Sequence, residues 1–360
     1  MNELFAISIL DRYIAGILIR TTLLVLLILG GLFAFFSLID QLGSIGSGNF
    51  GVYNAFEYML LTLPRTLSEL FPIAGMVGAM TTMGLLSRNS ELTVIRAAGV
   101  TQLRVLAAIL KGGVMLAIIA MFIAEFLAPT AEQAAQTRRS LALSDEISLQ
   151  SQYGFWVRDG GSYVNVRQVL PNNEFRNVYI YEFDRDQQLR TSTYANYARY
   201  RDNRWQLQDI EQTVFEADTV RKIDMDSAYW QTPLKPDVIN LVVVEPNYLG
   251  WLELFRYIRY LQANNQNTLL YRQALWGKIM YPFSILILLA LAVPLVRVSA
   301  RPTAIGQTVF MGTLLGLIFH IINQTTAHLG VVFSMPPFVS MALPSLLFFV
   351  LTLWLIRKRA

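Results

Sequence analysis

Six stretches of the chain are apolar over roughly 20 residues, the length a helix needs to cross a bilayer. They run from Ile17 to Ile39, Pro64 to Leu86, Leu106 to Ala128, Gly277 to Val296, Thr303 to Ala327 and Phe338 to Ile356. Only Arg20, Thr21 and Thr22 interrupt the first, close to its start. A Gly/Ser-rich turn, Gln41 to Gly51, and an amphipathic stretch, Tyr53 to Leu63, lead to the second, which carries Pro72, Gly75, Gly78 and Gly84. Small residues at such spacings let neighbouring helices approach closely in lipid. The third is expected to end at Pro129, where polar composition begins.

Between Thr130 and Tyr271 the period changes from helical to alternating. Phe155-Trp156-Val157, Tyr163 to Val166 and Val178 to Phe183 read as strands, and turn signals separate them at Asp159-Gly160-Gly161, Pro171-Asn172-Asn173, Asp184-Arg185-Asp186 and Asp202-Asn203. This pattern predicts consecutive antiparallel hairpins of an open sheet or sandwich. Asn247 to Leu261 is helical in pattern and leads back to the apolar spans. The expected fold is α+β: transmembrane helices 1–3 over residues 1–129, a periplasmic β-jellyroll-like domain over 130–271, and transmembrane helices 4–6 over 272–360.

Composition agrees with a bilayer as solvent, at 54% hydrophobic and 15% charged residues. The net charge of +4 is modest; its distribution carries the information. Most acidic residues lie in the middle segment and none follows Glu253. Arg12 and Arg20, Arg88, Arg96 and Arg104, Arg297 and Arg301, and Arg357, Lys358 and Arg359 all fall on one side of the spans. The positive-inside rule puts that side, with both termini, in the cytoplasm, and the β domain outside. Met1 to Arg12 is mixed in charge with no small-residue cleavage site, so the first span is read as retained. There is no cysteine, hence no disulfide framework and no thiol chemistry.

Catalytic motifs are absent: no phosphate-cradling glycine loop with Lys-Ser/Thr, no His-Glu-x-x-His zinc pair, no Gly-x-Ser-x-Gly elbow. The two histidines, His320 and His328, are too few and too far apart for a metal site by themselves. The suggestive local feature is Arg88 to Val100. Ser90 can cap a short helix with an apolar stripe of Leu92, Ile95 and Val94, and Gly99 is placed to end it. Such a helix either anchors in the lipid interface or docks in the groove of a cytoplasmic partner, with Glu91 and Arg96 as charged contacts.

The order of elements, with Leu10-Asp11-Arg12-Tyr13-Ile14, Asp40-Gln41-Leu42, Ser90-Glu91-Leu92 and Gly99, Ala128-Pro129, Lys278 with Pro282, and Pro336-Pro337, resembles the LptF/LptG permease family of the lipopolysaccharide export system. The likeness spans the chain, and its opening and Asp-Gln-Leu segments look more like the LptG branch. The resemblance implies a non-catalytic subunit that pairs with an LptF-like paralogue around a lipid-binding cavity. An LptB-like ATPase dimer would bind ATP and Mg, and an LptC-like membrane-anchored periplasmic protein would receive lipopolysaccharide; no nucleic acid is implicated. Ser90, Glu91, Leu92, Ile95, Arg96 and Gly99 would form the ATPase-coupling helix, and spans one and five a lateral gate.

Some members of the family it resembles place lysines at the outer end of span one, where this chain has Ser37, Gly43 and Ser44. Headgroup contact would then rest on Arg65, Arg138 and Arg139, and acyl contact on Leu26, Phe33 and Phe36. Asp40, Glu69 and Glu125 near outer span ends call for partners, Arg65 for Glu69 among them. Lys111 is expected to snorkel to the interface. The competing class is a membrane-anchored periplasmic sensor or scaffold, which should survive without an ATPase.

Overall fold

A computed structural model describes residues 8–143, 155–159, 161–170, 174–184, 186, 188–201, 204–216, 219–230, 246, 249–296 and 304–359. Six helices in it are long and apolar enough to cross a membrane. The chain divides into two compact units. One comprises Met1–Asp40, Met59–Glu132 and Leu269–Ala360, and the other Gln41–Tyr58 and Gln133–Thr268.

The first unit is a helical bundle. Its helices are α1 (Ile9–Leu42), α2 (Val52–Arg88), the short α3 (Glu91–Ala97) and α4 (Gln102–Phe122). A π-turn at Ile123–Leu127 leads to α5 (Ala128–Leu143), whose residues from Gln133 onward belong to the second unit, and α7 (Leu269–Leu295), α8 (Ile305–Val332) and α9 (Pro337–Arg359) complete the set. α1, α2, α7, α8 and α9 are each longer than the matching apolar run. The core is Ile14 and Leu18 of α1, Phe71, Met76 and Met83 of α2, Ile109 and Leu116 of α4, and Leu288 and Leu289 of α7. Small residues set the closest crossings. A Cβ on Gly78 would collide with the Thr22 hydroxyl oxygen and one on Gly84 would lie 2.7 Å from that of Thr308, so α2 meets α1 and α8 at near-backbone contact. At the first crossing Thr21 donates to the Gly78 carbonyl at 3.1 Å.

Pro129 does not end the third helix, contrary to the expectation from composition. It is the second residue of α5, directly after the π-turn, where the Ala128 N–H bonds the Ile123 carbonyl five residues back. A proline offers no N–H and crowds the carbonyl four residues earlier, and the wider turn relieves that crowding without breaking the helix.

The second unit is built on an antiparallel sheet of β1 (Phe155–Asp159), β2 (Ser162–Leu170), β3 (Glu174–Phe183), β4 (Leu189–Arg201), β5 (Arg204–Phe215) and β6 (Val220–Trp230), paired in chain order. This is the run of hairpins that the alternation predicts. Val164, Val178, Ile180, Ala195, Trp205, Leu207 and Ile210 form one buried face. Tyr260 of α6 (Trp251–Ala263) packs on that face and donates its hydroxyl to the Arg158 carbonyl at 2.9 Å. The other face bears tyrosines interleaved with arginines, such as Arg167 over Tyr179 at 4.9 Å.

The ladder is interrupted along a single transverse row. Arg167 opposite Asn177, Asn177 opposite Asn196, Asn196 opposite Asp209, and Asp209 opposite Asp226 are skipped in otherwise continuous registers. Two members of the row, Asn177 and Asp209, sit at φ 55 and 54, the left-handed region in which Asn and Asp are the most tolerant side chains after glycine.

Candidate functional site

The segment after α2 folds as its residues suggest in outline and differently in detail. α3 is a two-turn helix, and Gly99 ends it at φ 84. The Gly99 N–H bonds the Arg96 carbonyl at 2.9 Å and the Val100 N–H bonds the Ile95 carbonyl at 3.2 Å, the paired closure of a Schellman motif. Ser90 is not a side-chain cap. It lies at φ 60, outside the extended geometry that lets a cap hydroxyl reach the first helical N–H groups, and makes no side-chain cap bond.

The apolar stripe is narrower than its sequence pattern. Leu92 is 1% exposed and belongs to the bundle core, with Ile95 and Val100 packed beside it. Val94 is 67% exposed and points away with Thr93, Arg96 and Ala97. A helical step of 100° per residue separates Val94 from Leu92 by more than half a turn, so the two cannot share a face. α3 is thus rooted in its own bundle through Leu92 and Ile95 and presents Val94 and Arg96 outward.

Glu91, at the start of α3, is held from both sides. Tyr13 of α1 donates its hydroxyl to Glu91 Oε2 at 2.7 Å, and Asn89 donates its amide to Oε1 at 3.0 Å. Beside this contact, Asp11 of α1 is buried at 1% exposure. Arg104 bonds its Oδ1 at 2.6 Å and its Oδ2 at 3.0 Å, and Lys111 bonds Oδ2 at 2.8 Å. The Ser8 N–H adds a fourth bond at 3.0 Å. Lys111 therefore does not snorkel; its ammonium is drawn inward by a buried carboxylate, which repays its desolvation better than the interface does. Sequence reasoning treated Asp11 only as part of a motif and missed this cluster, although an acid at the head of an apolar run with three cations on its side of the spans was a readable signal.

The residues expected to meet a lipid headgroup are engaged within the chain. Arg65 pairs with Glu69 at 2.9 Å, the one-turn partner expected, and with Glu132 at 3.4 Å. Arg138 pairs with Glu57, and Arg139 donates to Gln41 at 2.8 Å while lying over the Tyr58 ring. Of the residues expected to face acyl chains, Phe33 and Phe36 are exposed on α1 at 46% and 51%. Leu26 is 5% exposed and packs into the bundle core, so it does not face lipid. Glu125, on the π-turn, pairs with Lys278 of α7 at 2.6 Å with both side chains largely buried. That pairing joins two residues noted separately in the sequence.

Six span-capable helices in two groups of three, with a β domain inserted between the groups and a short helix rooted between the second and third spans, define a multi-pass membrane protein of the permease type. The model of the lipopolysaccharide export system permease LptF/LptG family matches residues 12–358, so the chain belongs to that family. It is 29% identical over 356 residues to the lipopolysaccharide export system permease protein LptG of Escherichia coli strain K12, with 98% of this chain and 99% of that protein covered. It is 30% identical over 355 residues to the LptG of Haemophilus influenzae, with the same coverage of each chain, 98% and 99%.

Proposed function

We propose that this chain is the membrane permease subunit of an ATP-driven lipopolysaccharide exporter, with hydrolysis carried out by a separate ATPase. In this reading an LptB-like ATPase dimer docks on the outward face of α3, an LptF-like paralogue completes a lipid cavity, and the lipid passes to an LptC-like protein through the β domain. The β domain faces the periplasm, and both termini face the cytoplasm. Membership of the permease family supports the substrate class. The geometry of α3 is the observation that carries the rest. A helix with Leu92 and Ile95 sunk in the bundle and Val94 and Arg96 left outside is built to receive a force from a partner and pass it to the spans.

Interfacial anchoring of α3 in lipid is the second reading, and it is the weaker one. The large apolar side chain that anchoring would use, Leu92, is already buried inside the protein. Arg65 and Arg138 are paired with carboxylates of this chain, whereas among the described residues Arg139 meets only the Gln41 amide and the Tyr58 ring and keeps its net positive charge for an anionic headgroup.

Val94→Asp in the reconstituted complex separates the two readings. The side chain is 67% exposed, so folding and insertion are retained, while a charge at the centre of a docking face costs about 2 kcal/mol or more. The expected result is a roughly 30-fold loss of ATPase co-purification and of vanadate-sensitive lipid transfer. Unchanged assembly and transfer would remove α3 from the ATPase contact.

A further inference from the structure

The first turns of α1 carry two cations that the bundle leaves unused. Asp11, Ile14 and Leu18 are buried against the bundle, so the opposite side of α1 is turned outward. That side bears Arg12, Gly16 and Arg20 at successive four-residue steps, and both arginines are exposed. Among the described residues neither arginine makes an ion pair, and Asp11, the carboxylate nearest in sequence, is bonded on the other side to Arg104 and Lys111. At Gly16 the outward side opens, since a Cβ there would meet nothing within 4 Å. Ile9, Arg12, Tyr13, Gly16, Ile17 and Arg20 line an open groove of about 510 Å³ around this gap.

Side chains on a helix lean toward its N-terminus, so Arg20 leans back along the gap. Its Cα lies three residues inside the apolar run that starts at Ile17, and a guanidinium at that depth reaches for the bilayer surface. Arg12 lies eight residues earlier, about 12 Å along the axis toward that surface. In the other direction Leu23, Leu24 and Leu27, at 47%, 61% and 73% exposure, continue the same side of the helix as an apolar strip. We propose that the groove holds the headgroup phosphate of an anionic phospholipid such as phosphatidylglycerol, with its acyl chains along the leucines. Guanidinium forks match phosphate oxygens in pairs, and the bare backbone at Gly16 leaves the phosphate room between them. Cations at surface depth followed by an apolar strip present, in order, what a headgroup and its chains require. A partner helix on this side would instead have to desolvate both arginines and offset that cost with acids of its own. The bound lipid is a resident of the leaflet at the N-terminal end of span one. In the exporter reading that leaflet is the cytoplasmic one, and the cargo leaves by the other side.

The test uses Leu27→Cys, the one cysteine of the chain, labelled with a fluorophore and assembled into the full complex in phosphatidylcholine nanodiscs. Phosphatidylglycerol with brominated acyl chains is the probe, because bromine quenches only on contact. The expected quenching saturates at a low fraction of this lipid, whereas brominated phosphatidylcholine quenches in simple proportion to its share. Arg12→Gln combined with Arg20→Gln should raise the half-saturating fraction by about tenfold. Gly16→Leu keeps both charges, fills the groove without meeting any neighbour, and should do the same. Proportional quenching by both lipids in the parent chain, or unchanged saturation in Gly16→Leu, would overturn the site. Displacement by excess inorganic phosphate would make it a soluble-anion site, and displacement by lipopolysaccharide would make it a cargo site. A label that neither brominated lipid quenches would mean that a partner helix covers this side; each of these three outcomes also overturns the proposal. The quenching needs no transport, so a complex that moves no lipid would count against the exporter reading and leave this site standing.

Discussion

Replacing Asp11 with Asn leaves Arg104 and Lys111 converging on a site that no longer neutralises them. The carboxylate is 1% exposed and its partners are about three-quarters buried, at 24% and 25% exposure. Breaking a buried pair from one side costs about 3 kcal/mol, because the desolvated charges that remain have lost their compensation. Asp11→Asn should therefore lower the unfolding free energy of the purified chain by that amount, read as a lower midpoint in a detergent titration. Asp40→Asn, exposed and with no ion pair among the described residues, should leave it unchanged. Equal midpoints for the two variants would sink the argument. The same residues show what a sequence yields at this scale. Arg65 and Glu69 were matched because they lie one helical turn apart, a spacing that needs no knowledge of tertiary packing. Asp11 with Lys111, and Glu125 with Lys278, meet across 100 and 153 residues, and only helix–helix docking brings them together.

At the scale of elements the legible signals were those written in periods. Hydropathy located the six spans, and alternation located β1, β2 and β3 but assigned no range to β4, β5 or β6, because lipid length and the two-residue pleat leave direct marks on residue order. Signals that depend on backbone geometry did not show. Pro129 read as a stop because composition changes there, whereas a π-turn carries the helix through to Leu143. Ser90 read as a cap from its residue type, yet its φ of 60 denies it that role. The interrupted row across β2 to β6 shifts the inside–outside phase, so the buried pairs Phe175 and Val178, Ala195 and Ala198, and Leu207 and Ile210 lie three residues apart, a step that a strict two-residue alternation does not register. Its two left-handed residues make it testable. Asn177→Gly accepts φ 55 without strain, while Asn177→Val forces a β-branched side chain into a region that costs about 1–2 kcal/mol. Hydrogen exchange of the β3 and β4 amides should speed up by about tenfold in the valine variant and not in the glycine variant. Equal exchange in both would mean that the row relaxes to ordinary strand geometry.

For the whole molecule, the arrangement of spans decides which groups can share a compartment. Successive spans must cross in opposite directions, so the end of α2, all of α3, the start of α4 and the end of α9 share one side of the bilayer if all six helices span it. Arg88, Arg96 and Arg104 sit on the first side with Arg357 and Lys358; Arg297 and Arg301, counted with them in the sequence, lie outside the described residues. Charge bias of this kind orients a multi-pass protein because arginine and lysine near a span resist translocation, whereas acidic residues, which here cluster in the sheet, barely count. The orientation can be tested directly because the chain has no cysteine of its own. Val220→Cys on β6, at 66% exposure, should react in intact spheroplasts with a membrane-impermeant maleimide, and Leu103→Cys at the head of α4, at 60% exposure, should react only after the membrane is opened. The reverse pattern would place α3 on the face away from any cytoplasmic ATPase. The coupling function would then lose its physical basis, whatever the chain's family.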